Sequence, residues 1–161
     1  MSNEIERKFF LKEMPDISGI TKTTLERHFL FDEDGVELRI QSNGKDHTLQ
    51  RKVTLSDSEH TVEKIALSQK EFDILKKLSV ATIARESYHL SDAPPTELRI
   101  YHGPFERLVR VEFEFENAPA MEAFRAPDWV GKEMTGSRLS RDSWLLKLSK
   151  EEFATLLSQQ A

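Results

Sequence analysis

Apolar and polar residues alternate along many short segments of this chain, which is the pattern of half-buried β-strands. The alternation predicts eight strands, at 3–11, 24–32, 36–41, 48–55, 61–67, 81–90, 97–101 and 108–116. The pairs Asp34-Gly35 and Asn43-Gly44 are typical hairpin turns between them. Closing such a sheet on itself removes its unpaired edges, so we expect an eight-stranded antiparallel β-barrel.

Helical signals lie between the strands and in the second half of the chain. Ser68 with Glu71, and Ser149 with Glu152, have the spacing of helix capping boxes. Pro119 opens another short helix, a loop follows through 127–129, and residues 142–148 are expected to be helical. The chain is therefore predicted to be one α+β domain spanning residues 1–161, a barrel with flanking helices.

The first predicted strand has a charged face. Glu4, Glu6 and Lys8 alternate with Ile5 and Phe9, so the charged residues share one side of the strand. Same-face neighbours lie roughly 6.6 Å apart along a strand. Two carboxylates at that spacing can converge on one divalent cation, and a lysine one step further can meet a phosphate oxygen. A solvent-facing strand of alternating charge is the simpler interpretation of this segment alone.

The same alternation returns in most of the later strands, so the interpretation has to account for all of them. The charged or polar residues that lie on a common face of their strand include Glu37, Arg39, Gln41, Gln50, Lys52, Thr61, Glu63, Glu97, Arg99, Arg110, Glu112 and Glu114. Two barrels fit this pattern. Either the apolar faces point inward and the charges are solvated, or the lumen is polar and helices cover the apolar faces outside. A polar lumen with mixed acids and bases suits a metal–polyphosphate complex.

Composition removes several other functions. The formal charge is −5, so nonspecific nucleic-acid binding is not expected. The chain has no cysteine, which excludes disulfides and thiolate metal sites. No apolar run is long enough to cross a bilayer, and the polar N-terminus does not resemble a signal peptide. We therefore expect a cytoplasmic protein without a membrane partner.

The charged strands also carry motifs of a known family. Glu4-Ile5-Glu6-Arg7-Lys8 resembles the E-x-E-x-K motif of the CYTH family, also called triphosphate tunnel metalloenzymes. Three later segments agree with that family in order. They are the paired glutamates Glu112 and Glu114, the basic segments around Arg39 and Lys52, and the segment 127–135, which is similar to P-x-W-x-G-x-E-V-T with Met134 in place of valine.

The resemblance implies an eight-stranded antiparallel tunnel that binds a small-molecule triphosphate with Mg²⁺ or Mn²⁺. It implies metal ligands at Glu4, Glu6, Glu112 and Glu114. The expected phosphate-binding residues are Lys8, Arg39, Lys52 and Arg85, with Arg99 and Arg110 adding positive charge. Glu97 and Glu133 are expected as further tunnel residues. Lys8 is expected to take part in catalysis, and Glu63 or Glu114 to orient or deprotonate the attacking water.

Several positions depart from the family pattern. Gln41 and Ser87 stand where basic residues are usual, Arg99 stands where an acid is common, and Glu63 is the last acid left of the usual pattern on its strand. These departures leave three hypotheses. The first is a triphosphatase, most plausibly for inorganic tripolyphosphate. The alternatives are a class IV adenylyl cyclase and a non-catalytic binder of a triphosphate or nucleotide, each as a monomer or homodimer.

Overall fold

The computed structural model describes residues 1–159, which form nine strands and four short helices. The strands are β1 (Ser2–Leu11), β2 (Lys22–Glu33), β3 (Val36–Ser42), β4 (His47–Thr54), β5 (Glu59–Leu67), β6 (Ala81–Asp92), β7 (Pro95–Tyr101), β8 (Val109–Phe115) and β9 (Val130–Glu133). The helices are α1 (Gln69–Lys76), α2 (Ala118–Ala123), α3 (Asp142–Leu145) and α4 (Lys150–Ser158).

All neighbouring strands are antiparallel, and eight of them close into a barrel. The order is β5-β4-β3-β2-β6-β7-β8-β1, and pairing of β1 with β5 completes the ring. The predicted eight-stranded barrel is confirmed. Five of the eight pairings in the ring join consecutive strands, whereas β2 with β6, β8 with β1 and β1 with β5 are long-range pairings.

The ninth strand was not among the predicted strands. β9 pairs with the C-terminal end of β1, on the edge that β8 leaves free, with Phe9 opposite Glu133 and Leu11 opposite Val130. A side chain at Gly131 would place a Cβ 3.1 Å from the Phe10 carbonyl oxygen, so glycine allows this close approach. Four residues are too few to display an alternation of their own.

Both predicted capping boxes are present. Ser68 Oγ accepts from the Glu71 amide at 3.3 Å, and the Glu71 carboxylate accepts from the Ser68 amide at 2.7 Å. The corresponding pair at the start of α4 is Ser149 and Glu152. The helix expected over 142–148 is shorter, ending at Leu145. In the described part of the chain, no helix combines the length and apolarity needed to cross a membrane.

Apolar residues pack in two separate places. One cluster covers the outside of the barrel between β1, β8 and α2, with Phe9, Phe113 and Phe115 at its centre. The other lies at one end of the barrel, where Phe10, Tyr101 and other lumen-facing residues pack against Leu145 and Phe153 of the C-terminal helices. Charged residues occupy the middle of the lumen. The fold therefore has the polar lumen and external apolar faces of the second predicted arrangement.

Candidate active site

Charged side chains from all eight barrel strands enclose a cavity of about 240 Å³. The acids that line it are Glu4, Glu6, Glu37, Glu97, Glu112, Glu114 and Asp142. The bases are Lys8, Arg27, Arg39, Lys52, Lys64, Arg85, Arg99, Arg110 and Arg141. Nine bases against seven acids leave the lining with a small positive excess, which favours an anionic ligand accompanied by a cation.

The cavity is closed at one end. At this end, the residues that face the lumen change from charged to apolar along each strand. Lys8 is followed by Phe10 on β1, and Arg27 is followed by Phe29 on β2. Residues of α3 and the preceding segment fill the barrel at this depth. Glu97 and Lys64 mark the opposite, accessible end, where their side chains are 34% and 51% exposed. A ligand therefore enters and leaves through one mouth.

Four lumen-facing carboxylates on β1 and β8 form what we call the acidic wall: Glu4, Glu6, Glu112 and Glu114. Pairing of these strands sets Glu6 opposite Glu114 and Lys8 opposite Glu112. Lys8 Nζ lies 2.9 Å from Glu6 Oε1 and 4.0 Å from Glu112 Oε1. The register thus brings together side chains that are about 100 residues apart in the sequence.

The members of the acidic wall differ in their readiness to ionise. Burial would raise the pKa of Glu6, but the ammonium groups of Lys8 and Lys52 outweigh it and hold this pKa well below its usual range. Burial, with help from Glu4 and Glu6, instead raises the pKa of Glu114. Glu6 is therefore a permanent anion at neutral pH, and Glu114 is the better proton acceptor.

The donor chemistry of the acidic wall fits a hard divalent cation. All four donors are carboxylate oxygens, which Mg²⁺ and Mn²⁺ prefer. Burial, followed by the charges of Glu4 and Glu6, raises the pKa of Glu114, and a cation would relieve the repulsion among these carboxylates. Within residues 1–159 no three acidic or histidine side chains already converge as a finished metal site. Phosphate oxygens of the ligand would thus complete the coordination, as is usual for Mg²⁺.

Three predicted phosphate-binding residues face the acidic wall or lie beside it. Lys52 Nζ is 3.4 Å from Glu4 Oε2 and 3.5 Å from Glu6 Oε1. Burial lowers the pKa of Lys52 to about 8, although Glu6 opposes this shift. Arg39 is buried on β3 and donates from Nη1 to Glu37 and from Nε to Gln50. Together with Lys8, these residues place cations next to oxygen ligands for a metal.

Two other predicted phosphate-binding residues are paired with an acid at the closed end of the cavity. Arg85 Nη1 bonds to the Asp142 carboxylate, and Arg110 Nη2 lies 3.2 Å from Asp142 Oδ1. Arg110 also lies near Glu112, with Nε 2.9 Å from Oε1, although this contact is not aligned as a hydrogen bond. The structure therefore places Arg85 and Arg110 at the closed end of the cavity, bound to a carboxylate that the sequence analysis did not include.

Two predicted site residues lie outside the cavity. Glu63 is exposed on the outer face of β5, because it pairs with the outward-facing Arg51 of β4. The expectation that Glu63 orients the attacking water is therefore wrong for this structure. Glu133 also lies on the outer surface, where both of its carboxylate oxygens accept from Arg7. It is not a tunnel residue.

The positions that depart from the family pattern are close together in space. Arg99 Nη1 donates to Ser87 Oγ at 2.9 Å, and Arg99 Nε donates to Glu112 at 2.8 Å. Arg27 donates to Gln41 from Nε and Nη2. Arg99 and Arg27 thus supply guanidinium groups beside the serine and the glutamine. Glu97, at the mouth, accepts from His89 at 2.9 Å.

Sequence reasoning missed several residues of the cavity, among them Arg27, Lys64, Arg141 and Asp142, and also His60 beside Glu6. Arg27 lies between Leu25 and Phe29 on one face of β2, a pattern that could have been read as lumen-facing. Arg141 and Asp142 follow the last strand, and no periodicity indicated that they enter the barrel. His60 Nε2 lies 3.5 Å from Glu6 Oε1; burial and the charge of Lys52 lower its pKa to about 3, so it is neutral.

Glu37 ties the barrel to the C-terminal segment and gives a prediction about acid stability. It is buried, with Oε2 2.6 Å from Arg39 Nη1, and it accepts from Ser143 at 2.6 Å. Although burial alone would raise the pKa of Glu37, Arg39 and Ser143 lower it from 4.5 to about 2. Its stabilisation is therefore complete above pH 4.5 and is lost as the pH falls towards 2, a contribution of about 3 kcal/mol.

We expect Glu37→Gln to lower the free energy of unfolding by about this amount at pH 7, and by much less at pH 3. Urea unfolding of both proteins at the two pH values measures the difference. Glu33→Gln, at an exposed position on β2, is the matched control and should follow the unaltered protein. Equal losses for Glu37→Gln at pH 7 and pH 3 would contradict the assignment.

Comparison with known proteins places this geometry among related structures. The chain is 29% identical over 137 residues to an inorganic triphosphatase of Nitrosomonas europaea, covering 82% of this chain and 89% of that protein. A solved structure of an inorganic triphosphatase superimposes with a TM-score of 0.65 at 26% identity, covering 91% of this chain and 99% of the other. A conserved hypothetical protein from Pyrococcus furiosus shares the fold at 16% identity, with a TM-score of 0.56 and coverage of 92% and 93%. No family model matches the chain.

The fold and the site together define a class: a closed antiparallel barrel whose lumen carries an acidic wall opposite basic side chains. With the relatives above, this is the CYTH-type triphosphate tunnel fold. The resemblance stated from the motifs is thus confirmed at the level of the fold.

Proposed function

We propose that this protein is a metal-dependent triphosphatase that hydrolyses inorganic tripolyphosphate to pyrophosphate and orthophosphate. The observation that carries the proposal is the acidic wall lying against Lys8, Arg39 and Lys52 in a cavity with one mouth. The sequence relative and a similar solved structure, both inorganic triphosphatases, support the reaction. The metal is Mg²⁺ or Mn²⁺, because every donor in the acidic wall is a carboxylate oxygen.

Charge neutralisation and positioning supply most of the rate in phosphoryl transfer, so the chain needs no nucleophile of its own. Glu4, Glu6 and Glu112 would hold the divalent cation, whose chemistry is to offset the charge on the phosphate oxygens. Lys8, Arg39 and Lys52 would hold the remaining oxygens. The fixed positions of these residues would align the terminal phosphoryl group with a water molecule.

Glu114 is the best placed acceptor for the proton of that water. It faces the cavity and is open to solvent, and partial desolvation together with the charges of Glu4 and Glu6 raises its pKa. Attack of the water oxygen forms one bond to the terminal phosphorus as the bond to the bridging oxygen breaks. The water proton passes to Glu114, and pyrophosphate leaves with the bridging oxygen.

The lining favours an inorganic substrate over a nucleotide. Among the described residues that line the cavity, Phe113 is the only phenylalanine, tyrosine or tryptophan, and its ring packs in the outer cluster with Phe9 and Phe124. The one other ring, the imidazole of His89 at the mouth, is held by Asp92 and Glu97, so the cavity offers an adenine no large aromatic ring for stacking. Every phosphate of a compact polyanion can contact charged side chains of the lining, whereas ATP would place its uncharged base against ionised side chains.

Phosphate release by the purified protein tests the proposal. Tripolyphosphate and ATP are each assayed with Mg²⁺, with Mn²⁺ and with excess chelator, and cyclic AMP is measured in the ATP samples. We expect orthophosphate and pyrophosphate from tripolyphosphate, complete loss of turnover with chelator, and no cyclic AMP. Cyclic AMP formation would favour the cyclase instead. Tight binding of tripolyphosphate without turnover under any metal would favour the non-catalytic binder.

A further inference from the structure

Three buried arginines converge at the closed end of the cavity, and we call Arg27, Arg85 and Arg110 the inner arginine cluster. They come from β2, β6 and β8, and each is at least nine-tenths buried. Their common partner is the carboxylate of Asp142, in the first turn of α3. Arg27 Nη1 is 2.7 Å from Asp142 Oδ2, and Arg85 Nη1 bonds to the same oxygen.

The other carboxylate oxygen of Asp142 is equally occupied. Arg110 Nη2 is 3.2 Å from Oδ1, and the Tyr101 hydroxyl donates to it at 2.5 Å. Four donors from four different strands thus surround one small anion. Guanidinium forks and a hydroxyl at this spacing are the groups that bind the oxygens of a phosphate.

The inner arginine cluster has more positive charge than Asp142 neutralises. Three guanidinium groups meet one carboxylate, and Glu112 is shared with Arg99 and Lys8. Burial lowers the pKa of Arg27 and Arg85 well below the usual range, and neighbouring arginines add to the shift. Nε of Arg85 is buried without a hydrogen-bond acceptor among the described residues, and Nε of Arg110 lies 2.9 Å from Glu112 Oε1 without the alignment of a hydrogen bond. Unused donors and excess charge are properties of a site for an anion larger than a carboxylate.

We propose that Asp142 is an internal anion that fills the innermost phosphate position of the tunnel, and so sets how many phosphates of a substrate the cavity holds. The substrate is then held nearer the mouth, by Lys8, Arg39 and Lys52, and a further phosphate finds the position between the inner arginines occupied by the Asp142 carboxylate. This inference rests on the proposed function only for the identity of the substrate. The exclusion of an anion by Asp142 is a binding property that needs no turnover.

Binding of inorganic orthophosphate to the metal-free protein tests the proposal by titration calorimetry. Asp142→Asn keeps the size of the side chain and removes the charge. We expect this variant to bind orthophosphate about tenfold tighter than the unaltered protein, since a hydrogen bond to a charged group contributes enough for such a change. A role limited to holding the fold together would weaken binding. Asp128→Asn, at an exposed position, is the matched charge control and should show no gain.

Circular dichroism checks that the Asp142→Asn variant is folded. A folded variant with unchanged or weaker orthophosphate binding would overturn the proposal. If the variant does not fold, the affinities of the unaltered protein for tripolyphosphate and tetrapolyphosphate are compared by the same titration. Affinities within about threefold of each other support a filled inner position, whereas a larger gain for the longer chain overturns it. Failure of tripolyphosphate hydrolysis would count against the proposed function and leave these binding results standing.

Discussion

Glu6→Gln is expected to reduce the turnover of tripolyphosphate by a factor on the order of 10²–10³, the range seen when one preorganised electrostatic group is removed from an active site. Glu6 lies in the centre of the acidic wall, opposite Glu114 and 2.9 Å from Lys8. Its pKa is held well below the usual range by Lys8 and Lys52 against the effect of burial, so a full negative charge is lost at neutral pH. The amide keeps the shape of the side chain and removes a metal ligand.

A second readout separates this role from a loss of folding. We expect Glu6→Gln to need a higher concentration of Mg²⁺ or Mn²⁺ for half of its residual activity, because one carboxylate no longer attracts the cation. The matched control is Glu122→Gln in the exposed part of α2, which should retain activity and metal requirement. Activity of Glu6→Gln within about threefold of the unaltered protein would remove Glu6 from the metal site.

The barrel was predictable because most strands display their two faces in the sequence. On β1, Glu4, Glu6 and Lys8 alternate with a mostly apolar face, and burial of Ile5 and Phe9 in the outer cluster keeps the charged face inside. The motif spacing then pointed to the acidic wall. The structure adds the pairing of Glu6 with Glu114, which no spacing along the sequence reveals.

The face of β5 was predicted wrongly for a physical reason. Its inward residues are His60, Val62 and Lys64, and its outward residues include Glu63, so both faces contain polar groups. When neither face is apolar, alternation does not specify which one is buried, and a shift of one residue exchanges the two faces. Only hydrogen bonding to β4 decides that Lys64 faces the lumen and Glu63 does not.

Asp142 illustrates a different limit. Its contact with Arg27 joins residues separated by 115 positions, and it enters the barrel from a helix of four residues. The alternation of residues along each strand identifies the strands that form the lumen. It carries no information about a side chain that enters the lumen from a helix at the closed end of the barrel. The predicted lumen already contained at least as many acids as bases, so its charge balance gave no sign that another buried acid was needed.

Lys8→Met is expected to lower kcat/KM for tripolyphosphate by about 10- to 100-fold, because a hydrogen bond from a cation to a phosphate oxygen contributes roughly 1.5–3 kcal/mol. The Lys8 ammonium lies between Glu6 and Glu112, and it also donates to the Ser140 carbonyl at 3.0 Å. Methionine has similar length and fills the same space without the charge. Lys132→Met, at an exposed position on β9, is the matched control and should retain full activity.

The metal requirement distinguishes Lys8 from the carboxylates around it. Lys8 repels a cation from the acidic wall, so its removal should allow half-maximal activity at a lower Mg²⁺ or Mn²⁺ concentration, even as the rate falls. Glu6→Gln changes the same quantity in the opposite direction. Opposite shifts in the two variants follow if a phosphate-binding cation and a metal ligand lie side by side on β1. Shifts of the same sign would mean that Lys8 affects activity only by holding the acidic wall in place.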